Sequence, residues 1–166
     1  MKIEKITKDT AFDASRIYAM SWKSAYRGIV PDDYLDLLPL DRWESKLGGD
    51  YTDKFREDYI LSDGGVFIAS SSICEARDKA YSRWGEIMSI YVMPEYFRKG
   101  YGKALFSFAL ERLSERGYRN IYLWVLEENI RARKFYEANG FHANGDSASL
   151  NIGGKELIEI RYIKNN

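Results

Sequence analysis

The chain has 166 residues, and its 25 basic and 25 acidic side chains give a formal net charge of zero. An apolar share of 45% excludes a disordered chain, and charge neutrality argues against a dedicated nucleic-acid binder. One cysteine and one histidine exclude an intrachain disulfide and a zinc site built from nitrogen and sulfur ligands, so we expect no metal. The polar start and the lack of long apolar runs predict a cytoplasmic protein with no signal peptide and no membrane contact. The length suits a single domain over residues 1–166.

The charge is unevenly distributed along the neutral chain. Residues 31–60 hold nine acidic and four basic side chains, a net charge of −5. Residues 95–134 hold nine basic and five acidic side chains, a net charge of +4. This pattern fits an anionic ligand beside a cationic one, and it equally fits solvated charged faces.

The first third of the chain has a mainly helical pattern. Residues 2–7 predict a short edge strand, and apolar spacing predicts a helix from about residue 9 to 27, ended by Gly28. Proline and acidic residues at the start predict a second helix over 31–39, and a third helical piece is expected at about 40–47.

The remainder alternates between strands and helices. A β-hairpin is expected around Asp63-Gly64-Gly65, and residues 84–92 predict a further strand. Four more segments are predicted, namely a helix at 100–116, a strand at 121–126, a helix at 129–139 and a strand at 157–163. The order predicts a mixed α/β (α+β) fold with one strand–helix–strand crossover over 84–126.

The segment with the clearest chemical potential joins the 84–92 strand to the next helix and reads FRKGYGK over residues 97–103. Its two glycines allow a close approach of a ligand to the backbone, and the first turn of a helix favours an anion. Arg98, Lys99 and Lys103 add positive charge, although a plain strand-to-helix turn with solvated bases explains them as well. A P-loop and a dinucleotide-binding fingerprint are both excluded, because Ala104 and Leu105 stand where those motifs need Ser or Thr and Gly.

The chain resembles the GNAT superfamily of N-acetyltransferases in two separate blocks, and its opening helix looks like that of small bacterial members. The loop Phe97–Gly102, after a strand ending in Val-Met-Pro, is similar to the family's Q/R-x-x-G-x-G/A signature. Residues 129–141 match the pattern N-x-x-A-x-x-F-Y-x-x-x-G-F throughout. Phe97 departs from the usual Gln or Arg, which puts one side-chain contact in doubt. The resemblance implies a central, mixed, mostly antiparallel sheet of six to seven strands, splayed in the middle and flanked by helices.

The resemblance also implies acetyl-CoA as the cosubstrate. Its pyrophosphate would lie on the amides of residues 98–103 and its pantetheine along the end of the 84–92 strand, with an oxyanion donor near Ile90 or Tyr91. The implied cofactor-binding residues are Ile90, Tyr91, Val92, Phe97, Arg98, Lys99, Gly100, Tyr101, Gly102, Lys103, Asn129 and Arg133. For Asn129 a helix cap is a sufficient explanation, and for Arg131 and Arg133, on the expected cofactor side, solvated bases are the favoured interpretation.

The catalytic residues are also predicted from the resemblance. Tyr136 corresponds to the family's general acid, with a core aromatic as the alternative. Glu86 corresponds to a general base in some members, with an exposed residue or a structural ion pair as the alternative. Trp22, Tyr26 and Tyr34 are candidate substrate contacts or core aromatics.

The implied reaction is acetyl transfer to a primary amine of a small molecule or peptide, by direct attack in a ternary complex. The acidic 31–60 segment would suit a cationic amine. A catalytically silent acyl-CoA-binding module is the alternative, nucleic acid is not expected as a partner, and a homodimer is compatible with the family.

Overall fold

The computed structural model describes residues 1–49 and 55–165. Within these residues the chain forms seven strands and four α-helices, joined by three short 3₁₀ turns. The strands are β1 (Lys2–Lys5), β2 (Arg56–Asp63), β3 (Val66–Glu75), β4 (Gly85–Val92), β5 (Ile121–Leu126), β6 (His142–Ile152) and β7 (Lys155–Lys164). The helices are α1 (Ala11–Ala25), α2 (Asp32–Asp36), α3 (Tyr101–Glu115) and α4 (Ile130–Ala138). None of the helices described is both long enough and apolar enough to cross a membrane.

The strands form one sheet in the order β1-β2-β3-β4-β5-β7-β6. All neighbours are antiparallel except β4 and β5, which run parallel because α3 connects them as a crossover. These two strands pair only from Gly85–Ile121 to Ile87–Leu123, although β4 continues to Val92 and β5 to Leu126. The sheet therefore opens into a wedge between β4 and β5, which confirms the expected mixed, splayed sheet.

Helices α3 and α4 cover one face of the sheet. The buried side chains Leu105, Phe106, Ala109 and Leu113 form a single stripe along α3, as the helical period requires. The Phe106 ring lies 5.2 Å from that of Phe135 and 5.7 Å from that of Tyr136, centroid to centroid. This aromatic contact fixes α4 beside α3, above the wedge.

Helix α1 covers the opposite face and is bonded to the middle of the sheet. The Tyr18 hydroxyl lies 2.9 Å from Ser72 Oγ and 2.6 Å from Ser89 Oγ. Ser21 Oγ donates to the Val92 carbonyl at 2.7 Å. Buried hydroxyl groups need hydrogen-bond partners, so these bonds fix the position of α1 over β4.

The predicted third helical piece at 40–47 is wrong, because only Glu44–Lys46 form a 3₁₀ turn there. A side chain of α1 forms hydrogen bonds with backbone groups of this segment. Ser15 Oγ donates to the Leu40 carbonyl at 2.7 Å and accepts from the Trp43 amide at 3.0 Å. The helix predicted at 31–39 is shorter, ending at Asp36.

Strand β6 was not predicted from the sequence. It is an edge strand that pairs only with β7, and its polar side chains show no buried alternation. Its register shifts between Ala143 and Ser147, where Gly145 has a φ of +93°. Asn144-Gly145-Asp146 therefore has the composition of a turn and the structure of a bulge.

Candidate active site

The wedge between β4 and β5 forms a cleft of about 910 Å³. One wall comes from α1, and the other comes from the start of α3 and from α4. The splayed strands form its floor. The cleft is large enough for a cofactor and lies where the sheet topology forces the strands apart.

The loop before α3 is shaped to bind an anion. Arg98 and Gly100 both have left-handed backbones, with φ of 61° and 89°. Such residues turn successive amides towards one point and form an anion-binding nest. The first amides of α3 lie directly behind this loop, and the first intrahelical bond there is donated by Ala104 to the Gly100 carbonyl. Gly100 carries this conformation without the steric cost that a Cβ would bring.

Three cations surround this loop. Arg98, Lys103 and Arg131 line the cleft. The Arg131 guanidinium stacks over the Phe97 ring, 4.1 Å from its centroid. Burial, with a smaller effect of Arg98, lowers the Arg131 pKa from its ordinary value, although the group stays charged. Phe97, the departure from the usual loop residue, thus holds a cation that comes from α4.

Strand β4 offers an unpaired edge to the cleft. The Met93 amide donates to the Ile68 carbonyl at 2.8 Å, and alternation then directs the Tyr91 amide towards β3 and those of Ile90 and Val92 away from it. A bulge in the β3–β4 register places Met88 opposite no partner, just where β5 departs. Of the two predicted oxyanion donors, Ile90 therefore faces the cleft.

Three tyrosines and a tryptophan lie together in the cleft. Trp22 Nε1 donates to the Tyr91 hydroxyl at 2.9 Å, and the Tyr26 hydroxyl interacts with that same hydroxyl. Tyr136, only 9% exposed, adjoins Tyr91. Burial, followed by the effect of Tyr91, raises the pKa of Tyr136 above its ordinary value. Its phenol therefore stays protonated, as a hydrogen-bond donor must.

Glu86 lines the cleft as one member of an ion pair. It is 1% exposed, and Arg77 donates to it from Nη2 at 2.5 Å and from the backbone amide at 3.2 Å. The Tyr122 hydroxyl donates to its Oε2 at 2.8 Å. Bonding to Glu86 raises the Arg77 pKa, and burial followed by Glu86 raises the Tyr122 pKa. The structural ion pair, the alternative given for Glu86, is present.

A second carboxylate, Glu159, was missed at the sequence level. It lies on β7 opposite Leu126 of β5, is half-buried and lines the cleft. Burial raises its pKa, which Arg77 lowers and Glu86 raises to smaller extents. The one signal in the sequence was that Leu157, Glu159 and Arg161 stand at every second position. In a strand, this spacing places the two charged side chains on one face.

Most of the predicted site residues come together. The cleft is lined by the predicted residues Trp22, Tyr26, Glu86, Ile90, Tyr91, Val92, Phe97, Arg98, Gly100, Gly102, Lys103, Asn129 and Tyr136. Asn129 also caps α4, because its Oδ1 accepts from the Ala132 amide at 3.2 Å.

Four predicted residues do not line the cleft. Lys99 lies over the Tyr96 ring, and Tyr101 donates to Asp63. Arg133 donates to the Tyr162 hydroxyl at 3.1 Å and to the Glu127 carbonyl at 3.0 Å. The fourth, Tyr34, packs against the backbone at residue 153 and belongs to the apolar cluster between α2 and β7.

The acidic 31–60 segment does not supply the charge of the cleft. Among its described acidic side chains none lines the cleft. Asp36 pairs with Arg27 at 2.8 Å, and Glu57 and Asp58 pair with basic residues elsewhere in the sheet. Asp50 and Asp53 lie outside the described residues. The carboxylates that line the cleft come from β4 and β7 instead.

A splayed sheet, an anion nest before α3 and a free strand edge beside both define an acyltransferase of the class that the sequence resembles. The sequence model of the family described as "Acetyltransferase (GNAT) family" matches residues 15–141, and the chain belongs to this family. Among the described residues, no group of three or more His, Cys, Asp or Glu side chains is arranged to hold a metal ion.

Relatives of known sequence agree with this assignment. The chain is 30% identical over 155 residues to the uncharacterized N-acetyltransferase YuaI of Bacillus subtilis (strain 168), covering 89% of this chain and 83% of that protein. It is 23% identical to the spermidine N(1)-acetyltransferase of Thermoplasma acidophilum, covering 90% and 92% of the two chains. The crystal structure of the PaiA N-acetyltransferase from Thermoplasma acidophilum in complex with coenzyme A has the same fold, with a TM-score of 0.71 at 20% identity over 99% of this chain and 98% of the other.

Proposed function

We propose that this protein transfers the acetyl group of acetyl-CoA to a primary amine that enters the cleft from the α1 side. The observation that carries the proposal is the joint presence of the anion nest, the free edge of β4 and the Tyr136 hydroxyl in one cleft. In turn, these three features bind the cosubstrate, orient it and donate a hydrogen bond to its leaving sulfur.

The nest and its cations bind the pyrophosphate of the cosubstrate. Backbone amides of residues 98–103 supply the hydrogen bonds, and Arg98, Lys103 and Arg131 neutralise the charge. Phe97 takes part indirectly, because its ring supports Arg131. The pantetheine arm then extends β4 as an added strand through the backbone of Ile90 and Val92.

The Ile90 amide and the Tyr136 hydroxyl perform the chemical step. The amine lone pair attacks the thioester carbon, and the Ile90 amide stabilises the oxyanion that forms. As the carbon–sulfur bond breaks, the phenol of Tyr136 donates to the leaving thiolate. The CoA thiol is more acidic than a phenol, so complete proton transfer from Tyr136 to the thiolate is unfavourable. The hydrogen bond between the two instead becomes stronger as the thiolate forms.

Attack occurs directly, without an acetylated enzyme. The one thiol, Cys74, is 5% exposed and lies outside the cleft. Burial, followed by the charge of Glu86, raises its pKa to about 12. A neutral buried thiol is a poor nucleophile, so Cys74 is not a carrier of the acetyl group.

Glu86 has a positioning role in this scheme. Its oxygens already accept bonds from Arg77 and Tyr122, which fixes the floor of the cleft where β4 and β5 still pair. A base role for Glu86, as the family resemblance implies, requires one of these bonds to be exchanged for a water molecule.

The test is a screen for acetyl-CoA-dependent thiol release with a panel of amines. The panel contains spermidine, cadaverine, benzylamine, aniline, lysine amide and an alanine-terminated peptide. We expect release that depends on at least one amine and saturates with it. Tight calorimetric binding of acetyl-CoA with no release for any amine would instead identify a silent acyl-CoA-binding module and overturn the proposal.

A further inference from the structure

We propose that Glu159 binds the ammonium group of the acceptor and accepts its proton, which makes cationic alkyl amines the substrate class. This inference rests on the acetyl transfer proposed above. It assigns a catalytic role to a residue outside both motif blocks.

The position of Glu159 is the first argument. β7 presents it to the cleft beside Leu126, the last residue of β5, where β4 and β5 no longer pair. Tyr26 of α1 lines the same cleft and is influenced electrostatically by both Glu159 and Tyr136, so the carboxylate and the proposed acid lie in one region of the cleft. An amine between them would have its proton acceptor on one side and the thioester on the other.

The second argument is that the Glu159 carboxylate has no partner. Across the described residues it makes no hydrogen bond and no ion pair. The other carboxylate in the cleft, Glu86, is matched by Arg77. A half-buried carboxylate without a counter-ion is costly, and a cationic ligand would offset that cost.

The surroundings on each packed element favour a cation. Tyr26 faces Glu159 from α1, Arg77 and Glu86 lie on the β4 side, and the residues opposite on β5 and β6 are the uncharged Leu126 and Ala148. Arg77 is paired with Glu86, which offsets part of its influence on Glu159, and Glu159 itself has no ion-pair partner among the described residues. The raised pKa of Glu159 also brings it closer to the pKa of an alkylammonium, which makes the carboxylate a better base.

The reaction balances around this residue. The ammonium loses one proton to Glu159, directly or through a water molecule, and the free amine forms the carbon–nitrogen bond. Collapse of the intermediate breaks the carbon–sulfur bond, and the second proton from nitrogen passes to the sulfur by way of the Tyr136 hydroxyl or a water molecule, so that the phenol is left unchanged. Glu159 releases its proton to solvent, so that the products are the amide, CoA thiol and one proton.

The experiment compares Glu159→Gln with wild type, using the best cationic amine of the panel and aniline, which is neutral at pH 7. We expect kcat/KM for the cationic amine to fall about 100-fold, with the affinity for acetyl-CoA and the melting temperature unchanged. In the pH profile of kcat/KM, the fall at acidic pH that reports protonation of Glu159 should be present in wild type and lost in the variant. Glu159→Asp should retain part of the activity.

Glu156→Gln is the matched control, because Glu156 lies on the same strand, is exposed and bonds only to Ser149. It should behave as wild type. An active wild type with an equally active Glu159→Gln variant would overturn the role of Glu159 and leave the acetyl transfer standing. Loss of acetyl-CoA affinity in that variant would also overturn the catalytic role, because it would show that Glu159 supports the structure of the cleft instead.

Discussion

Tyr136 occupies its position because α4 is capped by Asn129 and pressed onto Phe106. In the proposed reaction, this position is where the hydroxyl donates to the leaving thiolate. We expect Tyr136→Phe to lower kcat about 100-fold with no change in the dissociation constant of acetyl-CoA. Stopped assays of thiol release and calorimetry measure the two quantities.

Tyr118→Phe serves as the control for this change, because Tyr118 packs against Phe55 outside the cleft. It should leave kcat as it is. Unaltered kcat in Tyr136→Phe would remove Tyr136 from the mechanism.

In the proposed site, Arg131 compensates for the unusual Phe97. Because its guanidinium is held on the Phe97 ring beside Arg98, Arg131→Ala removes a preorganised charge. We expect the dissociation constant of acetyl-CoA to rise about tenfold, equivalent to about 1.4 kcal/mol. Titration calorimetry checks this, with Lys134→Ala, an exposed change on the same helix, as the control. Equal affinities for all three proteins would show that Arg131 does not bind the cosubstrate.

The sequence predicted the site best where one segment supplies it. The 97–103 loop and Tyr136 each lie within a continuous motif, and both reach the cleft. Glu159 and the Arg77–Glu86 pair depend on contacts between strands far apart in the chain. No spacing rule reveals such contacts, because they follow from the strand order and from which face each side chain takes.

At the scale of elements, Glu57 links three parts of the fold. It lies on β2, is 5% exposed, and binds Lys5 of β1 at 2.6 Å and Arg116 at the end of α3 at 2.7 Å. Burial alone would raise its pKa, but bonds from Lys5, Tyr59 and Arg116 outweigh burial and lower the pKa from 4.5 to about 2.

This lowered pKa makes stability depend on pH. The contribution of Glu57 is complete above the ordinary pKa of 4.5 and is lost as the pH falls towards 2. We expect Glu57→Gln to reduce the free energy of unfolding by about 3 kcal/mol at pH 7 and by progressively less below pH 4.5. Urea unfolding at several pH values measures this difference. A deficit that stays constant down to pH 2, or an equal one in the exposed Glu111→Gln, would contradict the assignment.

The elements themselves were predicted well where burial imposes a period. Strand β5 and helices α1, α3 and α4 have one or two apolar faces, and the structure confirms them within a few residues. The edge strand β6 was not predicted, and the helix expected at 40–47 is wrong, for different reasons. None of the β6 side chains is fully buried and its first half contains the turn-like Asn144-Gly145-Asp146, whereas Ser15 of α1 takes the Leu40 carbonyl that a helix at 40–47 would have used.

For the whole molecule, the zero net charge conceals a cleft that is lined by side chains of both charges. Arg98, Lys103 and Arg131 belong to the basic 95–134 segment and face the proposed phosphate site. The unpaired negative charge comes from Glu159, not from the acidic 31–60 segment, none of whose described acidic side chains lines the cleft. In the proposed reaction, the basic residues attract the anionic cosubstrate and Glu159 attracts the cationic acceptor.

The most direct test of acetyl transfer in this cleft is the stoichiometry of a reaction with deuterated acetyl-CoA. Wild-type protein, acetyl-CoA carrying a deuterated acetyl group, and the best cationic amine of the panel are mixed, and the products are quantified by mass spectrometry. We expect equal amounts of CoA thiol and labelled N-acetyl amine, with the mass of the protein unchanged at every time point. Thiol release that leaves the amine unlabelled, or a labelled protein formed before the amide, would contradict direct transfer to an amine.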